Sequence, residues 1–233
     1  MSRQALGQGA REAAGVPAAV LAAGYLGFGA LAAAHDVPLA FALAATAVIW
    51  ALPAQLILLE MHTLGAPFVA TVLTVVLSSA RFLPMTLMLM PLMRAERHRR
   101  WHYYVAAQLL ALTGWTMAVA RFPRIGQAER LPWFFGFALV CMAASVLATA
   151  AGYMIADRLT PLARTGLVFM APMYYLLILT GGVRDRPAGL GLAFGALAGP
   201  LAYLAAPQWS VLIGGFAGGT LAYLVMRRRT SDG

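Results

Sequence analysis

One cation stands in the middle of a long apolar run. Arg81 is the only charged residue between Pro67 and Met93, a stretch of 27 residues. A guanidinium keeps its charge and offers a planar fork of donors suited to a carboxylate. At the centre of a membrane span it costs about 2.5–3.5 kcal/mol on insertion scales, so it should face a bundle interior, a partner or water. Pro84 follows three residues later and leaves the carbonyl of Ala80 without its helical donor. Ser78 and Ser79 are short enough to help satisfy that turn. The stretch SSARFLP therefore reads as an unwound element whose arginine faces a polar cavity. The alternative is a pairing of Arg81 with Glu60 that locks two helices together.

Other polar side chains in apolar runs are few. Gln55 follows Pro53 in WALPAQ, where an amide can bind a ligand's amino or carboxylate group or satisfy loosened backbone. Gln108 reads as a hydrogen bond between packed helices. Glu60 and His62 are close enough in sequence to handle a proton together, although both lie near a span end, where solvation alone accounts for them. Asp36 and Asp157 also lie near span ends. No H-E-x-x-H, G-x-S-x-G or Walker A motif is present, and no clustered acids suit a metal. The chain does not read as an enzyme, and no cofactor or metal site is implied. Cys141 is the lone cysteine, which excludes an internal disulfide framework.

The elements that must position these residues are set by composition. Hydrophobic residues make up 61% of the chain and charged ones 11%, against about 25% charged in a soluble domain. Such a chain must turn most of its surface to lipid. The fold class is all-α: a polytopic integral membrane helical bundle of about 7–8 spans, several broken by proline, forming a single domain over residues 1–233. Candidate spans fall at 16–34, 39–60, 67–93, 103–120, 132–155, 161–180, 188–205 and 208–226. The N-terminal stretch resembles a signal peptide, but its apolar run is long for one, and it reads as the first membrane helix. The net charge of +9 comes from 17 arginines and no lysine. These cluster between spans, at RAERHRRWH and MRRR, as interfacial anchors and not as a nucleic-acid surface. Their distribution leaves the orientation open.

Pro53, Pro84, Pro172 and Pro200 fall inside candidate spans. Interrupted spans are expected of transporters with a midplane site, and ordinary kinks are the alternative. Gly191, Gly195 and Gly199 lie four residues apart, as do Gly214 with Gly218 and Gly215 with Gly219. Each set forms a helix face along which backbones can approach closely.

The segments AGYLGFGALA (23–32), WALPAQ through PLMR (50–94), WFFGFALVCMAASVLATAAGYMIAD (133–157) and RTGLVFMAPMYYLLILTGGVRDRP (164–187) resemble, in order and spacing, the AzlC-type (YgaZ-like) large subunit of branched-chain amino acid exporters. The family's phenylalanine-alanine-glycine-alanine-alanine-glutamine signature stands here as WALPAQ, which keeps Gln55 and gains Pro53. Its asparagine-x-arginine-histidine motif stands as SARF, which keeps Arg81 but has Ser79 and Phe82. Its threonine-aspartate-glutamate motif is replaced by TGW, ending in Trp115. These departures make the implied site more apolar and leave the substrate in question.

The resemblance implies a secondary transporter subunit exporting small hydrophobic amino acids across the bacterial cytoplasmic (inner) membrane. It also implies a small AzlD-type hydrophobic partner subunit. Arg81, Gln55, Ser79, Phe82 and Trp115 are the implied substrate-binding residues, with Glu60 and Asp157 as proton or ion-pair candidates. A non-transporting membrane scaffold is the alternative. A polar cavity reaching Arg81 would favour transport; an Arg81 sealed in a solid bundle would favour the scaffold.

Overall fold

The computed structural model describes residues 2–95, 98–169, 173, 186–205 and 210–231. Among them the chain is helical, with no strand. It divides into two compact units, residues 1–171 and 172–233.

The first unit is built on α9 (Gln127–Met154), whose 28 residues make a rod of about 42 Å, longer than the ~30 Å hydrocarbon core. Two helices lie against it, α1 (Arg3–Ala13) and α2 (Val16–Ala34). Each contact is closed by a reciprocal pair of glycines. A Cβ on Gly9 would stand 2.0 Å from the carbonyl oxygen of Trp133, and one on Gly136 would stand 2.0 Å from that of Leu6. Further along α9, a Cβ on Gly29 would stand 2.1 Å from the carbonyl oxygen of Thr149, and one on Gly152 would stand 1.9 Å from that of Leu26. No side chain fits there, so these backbones touch directly, as small residues permit between membrane helices.

Helix α1 was not foreseen. Its sequence RQALGQGAREA is too polar to read as a span, yet Ala5, Gly9 and Ala13, spaced by four, form its buried stripe. Ser2 caps it by accepting from the Ala5 N–H at 3.4 Å. Glu12 then ties it to α8 (Leu112–Arg121) through Arg121 at 2.9 Å.

Three consecutive apolar runs are each broken near the middle. Residues 39–60 form α3 (Leu39–Val48) and α4 (Leu52–Thr63). Residues 67–93 form α5 (Phe68–Ser79) and α6 (Phe82–Leu92), bent by 44°. Residues 103–120 fall in α7 (Arg100–Gln108) and α8. Pro53 and Pro84 sit in the first turn of α4 and α6, just after the break. There a missing N–H forfeits no helical bond.

The links between broken runs share one chemistry. After α2, Asp36 takes a left-handed φ of 57° while the Val37 N–H donates to Ala32 O at 3.0 Å. After α4, Gly65 takes φ 61° while the Ala66 N–H donates to Met61 O at 2.9 Å. Both are Schellman stops. Each is followed two residues later by a proline, Pro38 or Pro67, that starts the next helix.

The expected count of 7–8 spans is coarsened by these breaks. Among the described residues, α2 and α9 are long and apolar enough to cross a membrane. The bent α5–α6 pair makes a third if taken as one span. After α9, a helix α10 covers 161–169, with the Thr160 hydroxyl accepting from the Ala163 N–H at its start. The rest of the expected 161–180 span, with Pro172, lies outside the described residues except for Met173.

In the second unit, α11 (Arg186–Ala205) packs on α12 (Ser210–Ser231). A Cβ on Gly214 would lie 2.8 Å from Gly199 Cα, and one on Gly218 would lie 2.7 Å from Gly195 N. These two glycine faces therefore pack on each other within the chain. Pro200 lies inside α11 without ending it.

Candidate functional site

The α3–α4 break meets α9 through a chain of buried polar groups. Thr46, Gln55, Ser145 and Thr149 have no exposure, and Trp50 is buried with them. Gln55 Nε2 donates to Thr46 Oγ1 at 3.1 Å. Thr46 Oγ1 lies 3.1 Å from Thr149 Oγ1 across the helix interface. One turn away the Trp50 indole N–H donates to Ser145 Oγ at 3.1 Å.

The three hydroxyls belong to helices and would ordinarily bond their own backbone. The Ser145 hydroxyl donates to Cys141 O at 2.8 Å, leaving its oxygen free to accept the indole. Thr46 and Thr149 each lie within reach of a carbonyl four residues back, Ala42 O at 3.0 Å and Ser145 O at 2.9 Å. Two hydroxyl protons thus serve three bonds: two to these carbonyls and one between the threonines. One of the three is always unmade.

Backbone strain marks the same place. Trp50 holds φ 40°, a left-handed conformation, in the three-residue break between α3 and α4. The break is supported from α7, where Gln108 Nε2 donates to Val48 O, a carbonyl at the end of α3. Gln108 thus makes the interhelical bond expected of it, and α7 itself breaks at the next residue. The α7–α8 break over Leu109–Ala111 contains neither proline nor glycine, so the sequence carries no local signal for it. Helices α4 and α8 begin there without a side-chain cap, which leaves first-turn N–H groups and their positive helix ends at the breaks.

Two buried polar atoms at these breaks have no partner. Gln55 Oε1 is an acceptor without a donor, and Trp115 Nε1 on α8 is a donor without an acceptor. Among the described residues the others of this kind are Trp133 Nε1, which lies in an aromatic packing cluster with Phe122 and Phe137, and the Nε atoms of three arginines whose terminal nitrogens bond elsewhere.

Arg81 sits in different surroundings. It lies at the α5–α6 bend and is exposed, with its guanidinium 5.4 Å from the Phe82 ring centroid. Ser79 and Phe82 flank it and are half-buried. The turn is not unwound as expected. The Leu83 N–H donates to Ala80 O at 3.1 Å and the Ala80 N–H to Leu77 O at 3.2 Å. A tightened turn therefore supplies the donor that Pro84 cannot, without help from Ser78 or Ser79. Glu60 is exposed near the end of α4, and Asp157 is exposed in a 3-10 turn after α9. Among the described residues no cluster of His, Cys, Asp or Glu could hold a metal.

Thr46, Trp50, Ser145 and Thr149 were missed by sequence reasoning. Their only visible signal is that Ser145 and Thr149 lie four apart on one face of a helix.

The model of the AzlC protein family matches residues 18–159. The match takes in α2 to α9, with all three breaks and the polar chain. No curated protein and no solved structure gives a significant match.

Proposed function

This chain belongs to the AzlC family, a family associated with amino acid transport and not with enzymes. From that premise we propose that it is the large subunit of a secondary exporter of small hydrophobic, branched-chain-like amino acids. It would form one transporter domain over residues 1–233 in the bacterial inner membrane, together with a small AzlD-type partner.

The observation that carries this reading is the pair of orphaned atoms at the helix breaks. A buried polar group without a partner costs about 1–3 kcal/mol, and an amino acid zwitterion repays both costs. Its ammonium group donates to Gln55 Oε1, and its carboxylate accepts from Trp115 Nε1 and the uncapped N–H groups of α8. Before or after the solute occupies that buried site, Arg81 holds its carboxylate at the exposed bend, where Ser79 adds a hydroxyl and Phe82 an apolar wall. Glu60 and Asp157, both exposed, are the proposed carriers of a coupled proton.

The test is efflux of valine, methionine and phenylalanine from cells preloaded with the corresponding dipeptides. Loss of a charge-assisted bond worth about 1.5–3 kcal/mol lowers export about 10- to 100-fold. That loss is expected for Arg81→Ala, and a smaller one for Gln55→Ala. Unchanged export by well-inserted Arg81→Ala and Gln55→Ala proteins would reject these roles. No efflux of any tested amino acid by the wild-type chain with its partner would reject the transporter.

A further inference from the structure

Helix α6 changes character where it ends. Leu83, Leu87 and Met88 are exposed apolar side chains along it, and the chain then runs into Arg94, Arg99 and Arg100. Trp101 and Tyr104 follow, both exposed, as aromatics do at headgroup level. A cavity of about 800 Å3 opens at this boundary. Its apolar side is formed by Leu87 and Met90 of α6, and its polar side by Arg94, His98 and Arg100. No described acid lines it.

Described residues at this boundary are tied to neighbouring elements. Gln127 Nε2 donates to Arg94 O at 2.8 Å and Arg130 Nη1 to Leu92 O at 3.0 Å, both from the first turn of α9. The Tyr103 hydroxyl accepts from the Ala95 N–H at 3.1 Å and lies 3.3 Å from Ala95 O. His98 Nε2 lies 3.4 Å from Ala128 O.

We propose that this cavity binds an anionic phospholipid, with Arg94 and Arg100 on the phosphate and one acyl chain along Leu87 and Met90. Two guanidinium groups with no acid among the described lining residues match a phosphodiester, which they can bond bidentately. The apolar side distinguishes a lipid from free phosphate, which has nothing to place there. None of Gln55, Ser79, Arg81, Phe82 and Trp115 lines it, so the cavity is separate from the proposed transport site. Basic pockets between membrane helices have this chemistry towards lipid headgroups.

The experiment is thermal unfolding of the purified full chain in a neutral detergent, with added phosphatidylglycerol or phosphatidylcholine. Phosphatidylglycerol is expected to raise the midpoint by several degrees and phosphatidylcholine to leave it unmoved. Arg94→Gln/Arg100→Gln should remove at least half of the shift. Arg99→Gln, which deletes the same charge beside the cavity but does not line it, should keep it. Leu87→Trp keeps every charge and fills the acyl side, so it should also lose the shift; it replaces the double variant if that protein does not insert. Equal shifts from both lipids would overturn the proposal. So would an unchanged shift in the lining variants, an equal loss in Arg99→Gln, or a full shift from inorganic phosphate or glycerol phosphate alone.

Discussion

Trp50 holds a left-handed backbone that costs a non-glycine residue about 1–3 kcal/mol. Such a conformation persists only where its surroundings fix it. Here the fixing contacts are burial of the ring and the indole bond to Ser145 Oγ at 3.1 Å. Ser145→Ala deletes the acceptor and leaves a buried N–H unpaired, while Trp50→Phe deletes the donor. Interhelical bonds in membranes average about 0.6 kcal/mol, and an orphaned donor adds to that. Each single change should therefore lower stability by about 1–2 kcal/mol. The double change should cost less than the sum, because the bond is lost once. Denaturation in detergent measures this cycle, and strictly additive losses would show that the indole bond contributes nothing. The sequence could not reveal this contact. Trp50 and Ser145 are 95 residues apart, and a serine on a helix ordinarily bonds its own backbone.

At the scale of elements, the sequence was most legible where one local signal sufficed. The apolar runs, the breaks beside Pro53 and Pro84 and the glycine faces of α11 and α12 each had one. The α7–α8 break had none, because Leu109, Leu110 and Ala111 are ordinary helix formers. What marks it is tertiary: Gln108 reaches across to Val48 O, 60 residues away. The reciprocal glycines of α9 were also hidden, since their partners lie on α1 and α2. They are the strongest packing constraint in the first unit. Gly29→Ala or Gly152→Ala would set a methyl about 2 Å from a backbone oxygen, and no flexible side chain is there to yield. The helices must separate, at a cost of about 1–3 kcal/mol or more. Gly7→Ala meets nothing within 4 Å and should stabilise α1 by up to ~1 kcal/mol through helix propensity. Melting points of the three variants read both signs. A neutral Gly29→Ala would mean that α2 and α9 do not touch as described.

At the scale of the molecule, the α5–α6 pair is poorly covered within the first unit. No described side chain of α5 is buried, and Leu73 and Val76 are 57% and 59% exposed. Lipid alone can cover those side chains. A second subunit could bury them as well, together with the exposed bend at Arg81. The proposed small partner is therefore placed on α5–α6, whose apolar exposure runs along the helix, and not on α9, where Leu147 is 69% exposed but half of the apolar stretch is already buried within the chain. A photo-crosslinking residue placed at Leu73 or Val76 should form an adduct with the co-expressed partner, and one placed at Leu147 should form none. The α5 adducts should disappear when the partner is omitted, as should any export. Adducts at all three positions would mean non-specific collision in the bilayer. Adducts only at Leu147 would move the partner to α9.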